Sequence, residues 1–385
     1  MMTDWRKRFQ DNEIAPVYVI GAGISGCVIA ERVSTLFGRR VVLFEKRSFV
    51  GGNSRAEIDP ETGIEIHRYG SHIFHTTNEK VWNYIRKFTE FNYYRHRVMI
   101  RSGGHVFSMP IDLKTINDFY GTQYSPDEAR LFLASEIRKA GIATPKNLEE
   151  RAVSLVGRGL YKRLIRGYTA KQWGRDPKTL PESIINRLPV RYSYDDAYFG
   201  TAWQGIPAKG FGAMFDALLA NPLIEVRTGV DYFAVRDAIP KNAIIFYTGM
   251  IDELFDFCYG QLEWRSLRFE TETIPIRDYQ GTSVMNYGDP TVPFTRIHEF
   301  KHYHPEWKKS YEESKTVICR EYPVPWKSGR DAYYPVNSDL NQQRFSLYQT
   351  EVARNPSLIV CGRLGSYNYL DMDAAVANAL KLFDS

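Results

Sequence analysis

The stretch Val17-Tyr18-Val19-Ile20-Gly21-Ala22-Gly23-Ile24-Ser25-Gly26 decides the fold. Its first four residues are an apolar, β-prone run that predicts a strand, and the apolar residues after Gly26 predict a helix. Three glycines between a strand and a helix are typical of a dinucleotide-binding turn. In such a turn Gly21 permits the tight bend, Gly23 lets a pyrophosphate approach the backbone, and Gly26 lets helix and strand pack closely. The helix N-terminus then stabilises the phosphates.

The next predicted strand, residues 40–44, delivers Glu45 nineteen positions after Gly26. A carboxylate at this place accepts hydrogen bonds from a ribose, and it disfavours NADP because it would repel a 2'-phosphate. NAD and FAD remain. The Gly51-Gly52 pair that follows resembles FAD-binding flavoproteins of the amine-oxidase and glutathione-reductase type, so FAD is favoured.

Three later segments support this interpretation. Residues 243–249 form an apolar run that ends in Thr-Gly, similar to the second signature of those flavoproteins. Residues 357–363 form another apolar run, which ends in Gly-Arg, and residues 374–380 predict a helix whose N-terminus can face the flavin. We therefore expect an α/β fold: a Rossmann-like FAD-binding domain interrupted by a helical domain and an antiparallel β-sheet domain.

The length of 385 residues suggests two or three domains. The FAD-binding domain is expected to be discontinuous, comprising residues 13–90, 205–250 and 356–385. Residues 113–197 contain several helical segments and few strands, which predicts a helical substrate-binding domain with a mobile loop. Residues 97–109 and 264–321 alternate apolar with polar side chains, as expected of an antiparallel sheet with one face in water. The antiparallel sheet domain is therefore expected to comprise residues 91–112 and 251–355.

The composition is that of an ordinary globular protein, with 43% hydrophobic and 25% charged residues. No apolar run approaches the roughly 18 to 20 residues that cross a bilayer, and the first fifteen residues contain no apolar signal-peptide segment. We therefore expect a cytoplasmic protein without a membrane span. The four cysteines lack metal-ligand spacing, which predicts no metal site. The net charge of +5 is spread among 45 acidic residues, so it favours a nucleotide diphosphate over a nucleic acid as partner.

Four motifs make a resemblance to one family specific. They are residues 66–76, which read Ile-His-Arg-Tyr-Gly-Ser-His-Ile-Phe-His-Thr, and residues 167–174, 333–337 and 362–372. With them the chain resembles bacterial UDP-galactopyranose mutase from about residue 15 to its C-terminus. The resemblance implies an isomerase that interconverts UDP-galactopyranose and UDP-galactofuranose, with reduced FAD as cofactor and NAD(P)H as external reductant. In that family flavin N5 attacks the anomeric carbon and displaces UDP, and the sugar ring opens and recloses through a flavin iminium. A homodimer and a role in cell-surface polysaccharide biosynthesis are also implied.

The resemblance assigns roles to individual residues. Arg187 and Arg296 match the paired diphosphate ligands, and with His75, which shapes the sugar pocket, they are the expected catalytic residues. A guanidinium suits a diphosphate because its planar fork binds phosphate oxygens and stays charged. Tyr168 and Trp173 flank a polar stretch that favours the rim of a mobile loop over a buried helix. The remaining substrate-binding residues are His96 near the sugar, Tyr198, Tyr334 and Tyr369 on the diphosphate, and Leu164, Tyr168, Thr169, Trp173 and Asn286 around uridine.

The cofactor-binding residues implied by the resemblance and by the glycine turn form a longer set. His72 lies in the segment that passes over the flavin and is expected to contribute main-chain contacts. Asp371 and Met372 begin the last predicted helix and should approach the flavin through backbone groups. The full set is Gly21, Gly23, Ser25, Gly26, Glu45, Lys46, Gly52, Asn53, His72, Ile73, Asp231, Tyr232, Arg363, Leu370, Asp371 and Met372.

Alternatives of three classes remain. The first is an FAD-dependent oxidoreductase of the amine-oxidase type, because such enzymes share the cofactor domain. Against it, an oxidase has no use for two arginines and three tyrosines around a departing diphosphate. The second is a mutase that acts on another UDP-hexopyranose, such as UDP-N-acetylgalactosamine. The third is a non-catalytic protein that binds UDP-sugars or nucleic acid.

Overall fold

The computed structural model describes residues 4–10, 16–185 and 189–384, which contain both strands and helices. The strands are β1 (Val17–Ile20), β2 (Val41–Glu45), β3 (Ala56–Ile58), β4 (Glu65–His67), β5 (Phe74–Thr76), β6 (Val98–Ser102), β7 (His105–Met109), β8 (Trp203–Gly205), β9 (Ile224–Thr228), β10 (Ile244–Tyr247), β11 (Trp264–Ile274), β12 (Val284–Tyr287), β13 (Arg296–Glu299), β14 (Thr316–Pro325), β15 (Tyr334–Pro335) and β16 (Leu358–Val360).

The helices divide between those that cover the parallel sheet and those inserted between its strands. They are α1 (Asp4–Gln10), α2 (Ile24–Phe37), α3 (Glu79–Ile85), α4 (Leu113–Tyr120), α5 (Pro126–Ala140), α6 (Leu148–Leu160), α7 (Arg166–Trp173), α8 (Gly210–Leu218), α9 (Tyr232–Val235), α10 (Ile251–Leu254), α11 (Asp339–Ala353), α12 (Gly362–Gly365) and α13 (Met372–Lys381). Across the described residues, no helix combines the length and the apolar character that a membrane span requires.

The predicted Rossmann-like sheet is present as five parallel strands in the order β16-β10-β1-β2-β9. These strands are short apolar runs because both faces of a parallel sheet are covered. Val19 and Leu43 enter the larger core with α2, α8 and α13, whereas Ile20, Phe44 and Tyr247 enter a smaller core on the other face. The carboxyl ends of all five strands therefore meet at one edge, where doubly wound sheets bind their ligands.

A second, seven-stranded sheet has the order β15-β11-β14-β13-β12-β6-β7. It is antiparallel, as expected, except that β6 and β12 are parallel neighbours. The reason is topological: after the hairpin β6–β7 the chain leaves to build helices and the strands β9 and β10 of the parallel sheet, and it returns through β11 before β12 pairs with β6. Helix α11 also lies within the range that was expected to be sheet. The domain boundaries themselves stay a prediction.

The helical layer contains α4 to α7, and local sequence signals explain where its helices begin and end. Ser125 caps α5 in a capping box with Glu128, with Pro126 at the first helical position, and Gly141 ends the helix in a left-handed conformation (φ 66°). Asn147 caps α6, which a π-helical turn at Tyr161–Ile165 joins to α7. The layer has its own core, which continues onto the hairpin β6–β7 through Ile100 and Phe107.

The expectation of a loop instead of a buried helix at residues 168–173 is wrong for this structure, whereas the mobility of a substrate loop stays a prediction. Those residues form α7, whose polar side chains Thr169 and Gln172 are each only 8% exposed. A polar sequence folds as a partly buried helix here because other parts of the chain supply hydrogen-bonding groups and close backbone contacts around it. Gly167 is one such contact, since an added Cβ atom would lie 2.0 Å from the Gly288 carbonyl oxygen.

A buried ion pair joins the parallel-sheet region to the seven-stranded sheet. His304 donates from Nε2 to Glu65 Oε2 (2.8 Å), and the backbone N–H of Phe211 donates to Glu65 Oε1 (2.8 Å). Burial alone would raise the pKa of Glu65, but the hydrogen bond from His304 and the nearby His67 outweigh it and lower the pKa to about 2. The same contact raises the pKa of His304 despite its burial.

This pair predicts how stability depends on pH. The Glu65 contribution is fully present above its unfolded pKa of 4.5 and is lost as the pH falls toward 2. The His304 contribution is present below its ordinary pKa of 6.5 and is lost as the pH rises through its raised value. We expect Glu65→Gln to lower the free energy of unfolding by about 1 to 3 kcal/mol at pH 6, because His304 loses one of its two carboxylate partners and keeps Glu306 (2.9 Å). Urea unfolding at pH 3 to 8 measures this.

A surface pair provides the control. Glu61 is 55% exposed at its side chain and bonds Lys315, so Glu61→Gln should change stability by less than about 1 kcal/mol. As the pH falls, the free energy of unfolding should decrease less steeply in Glu65→Gln than in Glu61→Gln. Equal slopes in the two variants would show that Glu65 does not control the acid transition.

Candidate functional site

The glycine turn after β1 is shaped for close approach of backbone and ligand. A Cβ atom on Gly26 would lie 1.9 Å from the Gly21 carbonyl oxygen, and one on Gly52, which has φ +56°, would lie 2.8 Å from Gly23 Cα. Helix α2 begins at Ile24, and its first turn has no side-chain cap. Its amide groups are thus left to bind an anion, as the predicted dinucleotide phosphates require.

The carboxylate predicted for the ribose is held beside this turn. Glu45 is 6% exposed at the end of β2; it accepts from the backbone N–H groups of Ala22 (2.8 Å) and Arg47 (2.9 Å). Each carboxylate oxygen keeps a second lone pair that can accept from a ribose hydroxyl. The Val230 N–H donates to the Glu45 carbonyl (3.0 Å), which brings Asp231 and the start of α9 to the same place.

Other predicted cofactor residues line the same edge of the sheet. An added Cβ on Gly362 would contact Thr248 and Ser25, so the ends of β16, β10 and β1 converge. Arg363 donates to the Leu370 carbonyl (2.9 Å), which fixes the approach to α13. The cradle fits a dinucleotide such as FAD. The predicted cofactor residues follow the ends of these strands or begin the next helices in sequence, and their roles stay a prediction: Gly21, Gly23, Ser25, Glu45, Lys46, Gly52, Asn53, Asp231, Tyr232, Arg363, Leu370, Asp371 and Met372.

The histidine segment leads from this cradle toward the seven-stranded sheet. His72 Nδ1 lies 2.7 Å from the Gly70 carbonyl oxygen, and the His72 N–H donates to His67 Nδ1 (3.1 Å). Burial, with added repulsion from His67 and Arg363, lowers the pKa of His72 to about 3. His72 is therefore neutral near pH 7 and shapes the backbone rather than carrying a charge. Ile73 follows it and is 7% exposed.

His75 and His96 meet on either side of Phe199, a residue that the sequence did not single out. The His75 ring stacks on Phe199 at 3.6 Å between centroids, and the His96 ring stacks on it at 5.4 Å. His75 Nε2 also lies 3.9 Å from Asp371 Oδ2 at the start of α13. Burial, together with Arg296 and the neighbouring histidines His298 and His75, lowers the pKa of His96 to about 3. Both predicted sugar-side histidines thus share one aromatic wall.

Three polar residues lie directly opposite one another across the seven-stranded sheet, and we call them the arginine row: Asn286 on β12, Arg296 on β13 and Glu321 on β14. Opposite residues of antiparallel strands project to the same face. Arg296 Nε is 3.4 Å from Glu321 Oε1, and Arg296 also donates to the Tyr168 hydroxyl on α7. Burial opposes the charge on Arg296, but the Glu321 carboxylate outweighs it and raises the pKa well above its usual value.

Two buried amide oxygens at or near the arginine row have no hydrogen-bond partner. Among the described residues, Asn286 Oδ1 and Gln172 Oε1 are buried and make no hydrogen bond, whereas Arg296 Nε faces Glu321 Oε1 at 3.4 Å. Buried polar groups are rarely left unpaired in folded proteins. An unpaired amide oxygen suits a ligand that presents N–H groups, as a nucleotide base does, and the positive charge of Arg296 beside it suits the phosphates.

A chain of contacts connects the arginine row to the histidine segment. Ser71, next to His72, hydrogen-bonds His298 Nδ1, and His298 Nε2 lies 3.1 Å from Glu321 Oε2. Glu321 in turn faces Arg296. Neither His298 nor Glu321 was predicted, because their spacing in sequence gives no sign that they meet.

The predicted tyrosines surround the arginine row. Tyr334 stacks on Tyr369 (5.5 Å) and lies 6.5 Å from Trp173, while the Arg363 guanidinium lies 5.1 Å over the Tyr369 ring. Burial raises the pKa values of Tyr334 and Tyr369, so both hydroxyls stay protonated and can donate to a phosphate.

For two predicted substrate residues, Leu164 and Arg187, the structure shows no place at the nucleotide site. Leu164 is 1% exposed within the helical core, so in this structure its side chain cannot contact a nucleotide. Arg187 lies outside the described residues. Tyr198 is close to His96, with ring centroids 5.4 Å apart, and remains 42% exposed.

Comparisons with known proteins identify the family of the chain. The family model described as UDP-galactopyranose mutase matches residues 163–369, and that of the NAD(P)-binding Rossmann-like domain matches residues 19–88. A protein of Klebsiella pneumoniae named probable UDP-galactopyranose mutase is 40% identical over 372 residues, which cover 96% of this chain and 94% of that protein. A dTDP-fucopyranose mutase of Escherichia coli is 38% identical, with 95% and 96% covered.

Solved structures support the fold. A crystal structure of reduced UDP-galactopyranose mutase superposes with a TM-score of 0.74 at 17% identity and covers 96% of this chain and 95% of that one. A putative protoporphyrinogen oxidase of Exiguobacterium superposes less well, with a TM-score of 0.62 at 13% identity and 96% and 97% covered. The sequence matches extend over nearly the whole chain, and the chain belongs to the UDP-galactopyranose mutase family of isomerases.

Proposed function

We propose that the protein interconverts UDP-galactopyranose and UDP-galactofuranose with reduced FAD as its cofactor. The observation that carries this proposal is the arginine row with the unpaired amide oxygens at or near it, connected through His298 and Ser71 to the segment beside the dinucleotide cradle. A nucleotide held by the row would have its sugar close to the His75–Phe199–His96 stack. Family membership supports the substrate class.

The side chains suit a reaction in which a nucleoside diphosphate departs and returns. When bound in reduced form, FAD would supply a nucleophilic nitrogen, N5, to the anomeric carbon. Arg296 is charged and fixed before the ligand arrives, so it can stabilise the negative charge that develops on the diphosphate. The protonated hydroxyls of Tyr334 and Tyr369 can donate to the same oxygens. His96 is neutral near pH 7, so it shapes the pocket instead of transferring a proton at that pH.

A second candidate is a mutase of dTDP-fucopyranose. The Escherichia coli relative of that name is nearly as similar to this chain as the Klebsiella pneumoniae relative, at 38% against 40% identity. The two substrates differ in the base, in the ribose 2'-hydroxyl and at carbon 6 of the sugar, and the arginine row addresses features that both share. UDP-N-acetylgalactosamine is a further candidate with the same diphosphate.

The test is a product assay with purified holoenzyme reduced by dithionite. UDP-galactopyranose, dTDP-fucopyranose and UDP-N-acetylgalactosamine are incubated separately, and pyranose and furanose forms are separated by chromatography. We expect furanose product from UDP-galactopyranose only after reduction, with a higher kcat/KM than for the other two. A higher kcat/KM for dTDP-fucopyranose would replace the first proposal with the second.

Parallel measurements address the oxidoreductase alternative and the supply of electrons. Oxygen consumption with amines, without any furanose product, would favour an oxidase. Turnover with NADPH or NADH in place of dithionite would identify the external reductant, which we propose to be NAD(P)H. A homodimer, a cytoplasmic location and a role in cell-surface polysaccharide synthesis remain proposals that light scattering and fractionation can test.

A further inference from the structure

Lys171 occupies an unusual position on the buried side of α7. Its ammonium donates to four backbone carbonyls, those of Tyr287 (2.8 Å), Asp289 (3.0 Å), Val292 (3.1 Å) and Phe294 (3.0 Å). An ammonium has three N–H groups, so at least one of them is shared between two of the four oxygens. The surrounding oxygens replace the water that the cation loses on burial.

The four carbonyls come from the end of β12 and from the connection between β12 and β13, residues 288–295. Asn286 lies just before this connection and Arg296 just after it. The connection is also held from its other side, because the Gly103 N–H donates to the Asp289 carboxylate (2.9 Å) and the Gly288 N–H donates to the Arg101 carbonyl (2.8 Å). The connection is therefore held in place by hydrogen bonds of its own, and Lys171 joins α7 to it.

Helix α7 carries the other half of the nucleotide site. Tyr168 accepts the hydrogen bond from Arg296, and Trp173 approaches Tyr334. Gly167 lets the helix backbone lie against Gly288, since any side chain there would collide with the Gly288 carbonyl oxygen. The helix thus touches the connection at two points, of which only Lys171 brings a charge.

We propose that Lys171 is a positioning residue for the nucleotide: by gathering four carbonyls of the β12–β13 connection, it holds Tyr168 and Trp173 opposite Asn286 and Arg296 before the ligand binds. The inference rests on the proposed function, since it concerns the binding of the same nucleotide. Holding both halves of a site in place beforehand lowers the ordering cost of binding. The effect should therefore appear in affinity more than in the chemical step.

The test compares Lys171→Met with wild type as FAD-loaded enzymes. Titration with UDP should give a Kd about 10- to 100-fold higher in the variant, because the helix must be ordered during binding. The KM should rise with it, whereas kcat at saturating substrate should stay within about threefold, the signature of lost binding that is equal in ground and transition states. Lys171→Gln keeps two N–H donors without the charge and should lie between the two.

A matched control and a ligand-free measurement separate positioning from general stability. Lys139 lies on the exposed face of α5, 70% exposed at its side chain, so Lys139→Met should leave the Kd for UDP unchanged. Without nucleotide, amide exchange in Lys171→Met should speed up in residues 166–173 and stay unchanged in α5. Flavin content should equal that of wild type.

The outcomes are distinct. If wild type binds UDP and Lys171→Met and Lys171→Gln bind it equally well, the role of Lys171 is refuted while the proposed function stands. If wild type binds neither UDP nor dTDP, the proposed function fails and the role of Lys171 falls with it. A variant that loses flavin or unfolds throughout, with amide exchange faster in α5 as well, would also overturn the assignment, because Lys171 would then be a general stability residue.

Discussion

Arg296→Ala is expected to lower kcat/KM by about a hundred- to a thousand-fold while FAD remains bound. Removing one member of a buried, hydrogen-bonded charge pair at a binding interface costs about 2 to 5 kcal/mol, and part of that cost arises from the partner left behind. Here the ligand diphosphate would lose a partly buried guanidinium, and the buried Glu321 would lose the cation 3.4 Å away. The flavin should be unaffected, because the cradle is built by the other sheet. Turnover and the flavin absorbance of the same sample measure both quantities.

Two further variants identify the cause of this loss. Arg296→Lys keeps a charge beside Glu321 but loses the planar fork, so it should fold normally and still turn over at least about tenfold more slowly. Arg320 is the neighbour of Glu321 on β14, but it points to the other face and bonds Glu272 (2.7 Å). Arg320→Met should therefore retain wild-type turnover. Apoprotein on purification of Arg296→Ala, or full activity of Arg296→Lys, would contradict the assignment to the diphosphate.

Local features of the cofactor region could be predicted from the sequence. A strand, a glycine turn and a helix follow one another within residues 17–37, and Glu45 follows the next strand, so each part is visible in a short window. The structure places the Glu45 carboxylate against Ala22 of the turn, as this order requires. Such features are predictable because steric and apolar periodicities act between close neighbours in sequence.

Contacts between distant segments could not be predicted in the same way. Phe199 lies between His75 and His96, yet nothing in the spacing of these three residues shows that their rings stack. The parallel pairing of β6 with β12 joins strands more than 180 positions apart. For such contacts only the resemblance to a family indicated which residues converge, and it did not include Phe199, His298 or Glu321.

Helix α7 shows why a local pattern can mislead. Its polar residues resemble a loop because hydrogen-bonding side chains favour water when no partner is at hand. In the folded chain Lys171 finds its partners among backbone carbonyls. Every residue has a backbone carbonyl group, so the amino-acid sequence does not show which carbonyls will accept these hydrogen bonds.

Gly26→Ala is expected to weaken FAD binding and lower the flavin content of the purified protein. The added Cβ would lie 1.9 Å from the Gly21 carbonyl oxygen and 3.3 Å from Val19 Cγ1, so the turn would have to move relative to α2. The atom in the way belongs to the backbone of the turn that is proposed to hold the pyrophosphate, and no side-chain rotation relieves the collision. Strain of about 1 to 3 kcal/mol placed on the bound geometry corresponds to about a 5- to 150-fold loss of FAD affinity. Absorbance at the flavin band, relative to protein, measures the loss.

The same substitution at Gly212 should leave FAD binding unchanged and raise the stability of the protein, which makes the pair a sensitive test. Gly212 lies in helix α8 with nothing within 4 Å of an added Cβ. Alanine there should stabilise the protein by about 0.5 to 1 kcal/mol, because the unfolded chain loses freedom and no contact is disturbed. Both variants add one methyl group to a helix, so a difference between them reports the close approach at Gly26 and not helix propensity. Full flavin content in Gly26→Ala would mean that the turn can yield without releasing the cofactor, and the tight fit of helix against turn would not be needed for binding.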